Sequence, residues 1–118
     1  MSAIAAALVV LVAVEHVWFL VLEMFLWTRP LGLRTFRQSE EKARASAALA
    51  ANQGLYNGFL AAGLVWSYFA SNGYEIRIFF LACVVVAGLY GAITASRSIL
   101  FVQALPAIAA LAITLLAR

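Results

Sequence analysis

The chain has 118 residues, 66 % hydrophobic and 11 % charged. A soluble domain is nearer half apolar and a quarter charged, so these proportions exclude an ordinary soluble enzyme and predict a polytopic membrane protein with no soluble domain. The formal charge of +3 matters by its placement, because Arg29, Arg34, Arg37, Lys42 and Arg44 all fall between residues 28 and 46.

One membrane span needs about 20 apolar residues. Four are predicted, at about 3–27, 47–69, 76–95 and 99–117. The expectation is one all-α domain over 1–118, an antiparallel bundle of four transmembrane helices. The positive-inside rule puts the basic loop 28–46 in the cytoplasm and both termini outside. Arg97 falls on the inner side, Arg77 and Arg118 on the outer. The first span lacks the basic start and cleavage site of a secretory signal and is expected to stay in the mature protein.

Span one ends at Trp27-Thr28-Arg29-Pro30, and Pro30 disfavours a helical continuation before it. Leu31, Leu33 and Phe36 alternate with Arg34 and Arg37. This short basic-amphipathic stretch is expected on the inner membrane surface, with anionic lipid headgroups as its counter-charge. Ser39-Glu40-Glu41 reads as a capped helix start, from which span two runs unbroken into the membrane. Asn72-Gly73 reads as a helix stop in the outer turn Ser71–Glu75. Ser96-Arg97-Ser98 is short enough to make spans three and four antiparallel neighbours. Pro106 is expected to kink span four. Cys83 is the single cysteine and reads as a small core residue.

The polar residues inside spans carry the functional reading. An ionised carboxylate at the centre of a membrane helix costs about 2.5–3.5 kcal/mol unless it is paired, protonated or facing water. Glu15, His16 and Glu23 all lie in span one, and Glu15, Phe19 and Glu23 share a face at i, i+4, i+8. Rises of 1.5 Å per residue place Glu23 roughly 6 Å and Glu15 roughly 18 Å below the inner boundary. Span two contributes Asn52, Gln53, Tyr56 and Asn57, with Asn57 at about 15 Å; Gln103 of span four falls near Asn52. These depths predict two tiers, Glu15 with Asn57 near mid-membrane and Glu23 with Asn52, Gln53 and Gln103 nearer the cytoplasm. Gly54 and Gly58 form a GxxxG that invites close helix approach, and Gly88 with Gly91, Ala92 and Ala95 offers a second such stripe.

Glu15-His16-Val-Trp-Phe-Leu-Val-Leu-Glu23-Met24-Phe-Leu-Trp27 and Asn52-Gln53-Gly54-Leu-Tyr56-Asn57-Gly58-Phe59-Leu60-Ala-Ala-Gly63 together resemble the bacterial membrane-protein family of unknown function 1304. The resemblance implies a four-span integral protein of the bacterial inner membrane and brings no established activity. The chain is also similar in length and span number to the small multidrug exporters, which carry a functional acid in span one as Glu15 would be. Its long basic loop, second acid and Asn/Gln cluster depart from that pattern. Similarity to the membrane-associated eicosanoid and glutathione metabolism proteins lies in four spans, a cytoplasmic first loop and a protruding second helix. Their Arg/Asn/Glu signature is not reproduced, because Leu55 and Tyr56 stand where an acid is wanted.

The expected function is binding or transport of a small molecule or lipid at a polar site open to the cytoplasm. Glu15 would be the proton-coupling centre and Glu23 an orienting carboxylate. His16, Asn52, Gln53 and Asn57 complete the site, with Tyr56 and Gln103 secondary. A membrane-embedded enzyme and an exporter-like proton antiporter are the alternatives. Glycine stripes on short spans predict a homo-oligomer. No metal is expected, since H-E-x-x-H and E-x-x-H pairs are absent, no cofactor is identified, and no nucleic-acid signature is present.

Overall fold

Residues 2–95, 98 and 100–117 are described by a computed structural model of the chain. Among them there is no strand. The helices are α1 (Ala3–Met24), α2 (Pro30–Phe36), α3 (Glu40–Trp66), α4 (Gly73–Thr94) and, after a π-helical turn at Leu100–Ala104, α5 (Leu105–Leu116). Of the predicted Ser96-Arg97-Ser98 link only Ser98 belongs to the described residues. Arg97 and Arg118 lie outside them.

Two compact units divide the chain. One is His16–Phe59; the other joins the residues up to Glu15 with those from Leu60 onward. The segment His16–Phe59 owes its shape to local signals. Arg29 is extended (φ −87°, ψ 161°) and Pro30 opens α2, where a missing N–H costs nothing. Gly32 is buried, and a side chain there would overlap the Leu26 carbonyl. α2 stops at Arg37, a non-glycine residue in the left-handed region (φ 51°), while the Gln38 N–H donates to the Leu33 carbonyl. Trp27 packs on Phe36 with ring centroids 4.7 Å apart, and its indole N–H donates to Ser46 Oγ at 3.2 Å. The Ser39 hydroxyl accepts from the Lys42 N–H at 3.1 Å, as a cap should. Glu40 pairs with Arg44 one turn on, at 2.7 Å and largely exposed. Such a pair is worth at most about 0.5 kcal/mol.

In the other unit, Val9, Val12 and Ala13 of α1 pack with Leu64 of α3, Leu81 and Val84 of α4, and Ala107 and Ala110 of α5. Small residues let these helices meet. A Cβ at Gly63 would enter the Phe80 ring. One at Gly88 would lie 2.9 Å from Ala104 Cβ and 3.0 Å from its backbone nitrogen. The π-helical turn ends at that contact, just before Pro106, which cannot donate to an α-helical ladder. The predicted break at Pro106 is thus absorbed by a widened turn over Leu100–Ala104.

Several expected boundaries move. α1 ends at Met24, not Trp27, and α3 at Trp66. Asn72-Gly73 does not stop a helix: Gly73 begins α4, and no described glycine has a positive φ. Glycine is needed there because a Cβ would overlap the Ser67 carbonyl. α1 and α4 are each long and apolar enough to cross a membrane. The predicted spans two and four do not meet that measure: α3 dilutes its apolar residues with Asn52, Gln53 and Asn57 and a charged start, and the last apolar helix, Phe101–Leu116, is shorter.

Candidate functional site

The polar centre of the His16–Phe59 unit is one carboxylate–amide pair. Glu23 occupies the last turn of α1, and Asn57 lies in the middle of α3. The Asn57 side-chain N–H donates to Glu23 Oε1 at 2.5 Å. Both side chains are buried, at 6 % and 8 % exposure. Glycine creates the room. A Cβ at Gly54 would lie 2.8 Å from Met24 Cγ and 3.0 Å from Glu23 Cβ, and one at Gly58 would lie 2.6 Å from Leu20 Cδ1. The GxxxG of α3 therefore seats the end of α1 and brings Asn57 onto Glu23. About two turns before Glu23, the His16 ring is fully buried and meets Phe19 edge-on, with centroids 5.2 Å apart. Burying an acid is costly unless its oxygens are bonded. An amide donor meets that need while leaving the carboxyl group free to bind a cationic or hydrogen-bonding guest, or to exchange a proton.

The expected polar cluster of α3 divides by face. At 100° per residue, Asn52 and Asn57 lie about 140° apart on a helix. Asn57 is buried, whereas Asn52, Gln53 and Tyr56 are exposed. Glu15 belongs to the other unit. It is half-buried, and its Oε1 is buried with no hydrogen-bond partner among the described residues. Gln103 lies in the π-helical turn, half-buried and engaged in an interaction.

The two-tier pairing of Asn57 with Glu15 is overturned, since Asn57 holds Glu23. The depth count assumed helix ends at Trp27 and Ala47. That count set Glu23 roughly 6 Å and Asn57 about 15 Å deep, whereas their hydrogen bond puts the two at one level, a shift of α3 along α1 by more than a turn.

Arg77, which the sequence left as a charge on the outer side, is 6 % exposed. Its Nη2 donates to the Ser67 carbonyl at 3.0 Å, its guanidinium lies 4.8 Å from the Tyr68 ring centroid, and the Tyr68 hydroxyl donates to the Ala6 carbonyl at 2.7 Å. Its position amid Ile76, Ile78 and Phe79 was the available signal: a cation in an apolar run needs carbonyl or aromatic partners. Among the described residues no group of three His, Cys, Asp or Glu is arranged to hold a metal ion.

Fold and site together define a small all-helical protein with a buried carboxylate–amide centre. The chain belongs to the family described as protein of unknown function (DUF1304), whose model matches residues 10–115. It is similar to the uncharacterized protein YpaA of Lactococcus lactis subsp. lactis (strain IL1403), 32 % identical over 114 residues that cover 94 % of this chain and 96 % of that protein. No solved structure matches the chain.

Proposed function

We propose that the protein is a four-span integral protein of the bacterial inner membrane that binds or transports a small molecule or lipid, with Glu23 and Asn57 at the centre of its site. α1, α3, α4 and the segment 100–117 form the spans, loop 28–46 faces the cytoplasm, and the termini lie outside. The carrying observation is the buried pair of Asn57 on α3 with Glu23 on α1, the latter a helix apolar and long enough to cross a membrane. Helix association alone does not require so costly a group, because hydrogen bonds between membrane helices contribute only about 0.6 kcal/mol on average. Glu15, eight residues earlier on the same helix and with a buried oxygen that has no hydrogen-bond partner among the described residues, is the proton-coupling group. The cytoplasmic end is fixed by Arg29, Arg34, Arg37 and Lys42, all exposed around α2, where anionic headgroups neutralise them.

The test compares wild type with Glu23→Gln, which keeps an acceptor for Asn57. Lipids and small molecules retained through purification from membranes are measured by mass spectrometry. A stoichiometric species held by wild type and lost from Glu23→Gln is expected. Identical complements in the two proteins would remove Glu23 from any binding role.

A further inference from the structure

The outward face of α3 presents polar groups where a membrane span should present none. The helix buries Ala43, Ala50, Gly54, Asn57, Ala61 and Leu64, which share one face. Leu49, Asn52, Tyr56 and Phe59 follow one another at intervals of three, four and three residues on a different side, with Gln53 beside them. All five are exposed: Leu49 by 76 %, Tyr56 by 58 % and Phe59 by 53 %, with Asn52 and Gln53 also open. Three-four spacing is the seam by which helices interlock side by side. Amides within such a seam have no water to bond in lipid and need a polar partner.

We propose that this seam packs against the same seam of a second copy of the chain, so that Asn52 and Gln53 of the two copies hydrogen-bond to each other. Such a seam requires α3 to be a membrane span, as proposed above. Each amide carries both donors and an acceptor, so identical amides satisfy one another as two carboxylates or two guanidinium groups cannot. A two-fold axis along the membrane normal puts every residue of α3 at the same depth as its copy, which brings Asn52 to Asn52 without any further device. The flanking Leu49, Tyr56 and Phe59 supply apolar contact on both sides of the amides. The pairing also separates two roles within α3: Asn57 serves the buried acid, while Asn52 and Gln53 serve assembly.

The test uses the full chain in native membranes with Cys83 replaced by serine. Leu49→Cys, Phe59→Cys and, on the 85 % exposed Ile93 of α4, Ile93→Cys are oxidised in parallel. Disulfide-linked dimers are expected at positions 49 and 59 and not at 93. Adding Asn52→Leu with Gln53→Leu should lower dimer association about tenfold, the size expected from losing two interhelical amide bonds, although both changes make the face more lipid-like. Equal cross-linking at 93, no dimer at 49 and 59, a product with a protein of another mass, or undiminished dimer in the double leucine variant would each overturn the proposal. Glu23→Gln should cross-link as wild type does. A failed seam with an intact Glu23-dependent ligand refutes assembly alone, an intact seam with no such ligand refutes the site alone, and release of the chain by alkaline carbonate refutes the membrane reading beneath both.

Discussion

Glu23 and Asn57 depend on each other unequally. Removing the donor leaves a buried carboxyl oxygen without a partner, at a cost of about 1–3 kcal/mol. Replacing the acid by its amide keeps an oxygen that accepts from Asn57. Asn57→Ala should therefore lower the midpoint of thermal unfolding in detergent clearly, while Glu23→Gln should lie close to wild type. Equal losses in the two variants would mean that the Glu23–Asn57 bond is not what the site rests on. Asn57 and Glu23 were both legible as costly polar residues inside apolar sequence. Their partnership was not, because depth counted from idealised span ends missed the shift of α3 along α1. The outward turn of Asn52 was legible in principle, since residues i and i+5 lie on different sides of a helix; the exposure of Gln53, four residues before Asn57, was not.

Local signals governed the helix ends that could be read directly. Ser39 before Glu40 and Pro30 after an extended Arg29 are caps written in one or two residues, and both helices start there. Ser39→Ala should cost about 1 kcal/mol, whereas Glu40→Gln, which removes an exposed pair and one of two first-turn carboxylates, should cost less, about 0.5 kcal/mol. Thermal unfolding of the two variants checks the contrast. The turn before α4 depended on contacts instead: Gly73 is fixed by the Ser67 carbonyl, beyond the reach of a turn rule. The π-helical turn had one visible cause, Pro106, but its place over Leu100–Ala104 also depends on how α4 receives Ala104. Gly88→Val should force those segments apart and cost about 1–3 kcal/mol through overpacking. Gly54→Val should push α1 away at Glu23 and release the ligand, so stability and retained species should fall together in this variant while Gly88→Val spares the species per folded molecule.

Composition made the whole molecule legible as helical and apolar, and the structure describes five helices without a strand among the described residues. Composition did not divide the chain evenly. α1 and α4 carry the strongest apolar runs, while α3 mixes a buried amide, an outward amide pair and a charged start on one long helix. That mixture is what the proposed span, with an internal site and a partner-facing seam, would need, and it is why α3 does not meet the span measure that α1 and α4 meet. The central claim, that the acids of α1 lie within the membrane, is tested most directly by carboxyl labelling in native membranes. A hydrophobic carbodiimide reaches carboxyl groups from the lipid phase, and a charged, water-soluble one reaches them from outside it. Peptide mapping should find the hydrophobic reagent on Glu15 and Glu23 and the water-soluble reagent on Glu40, Glu41 and Glu75. Modification of Glu15 and Glu23 by the water-soluble reagent as readily as Glu40 would contradict a membrane-embedded site.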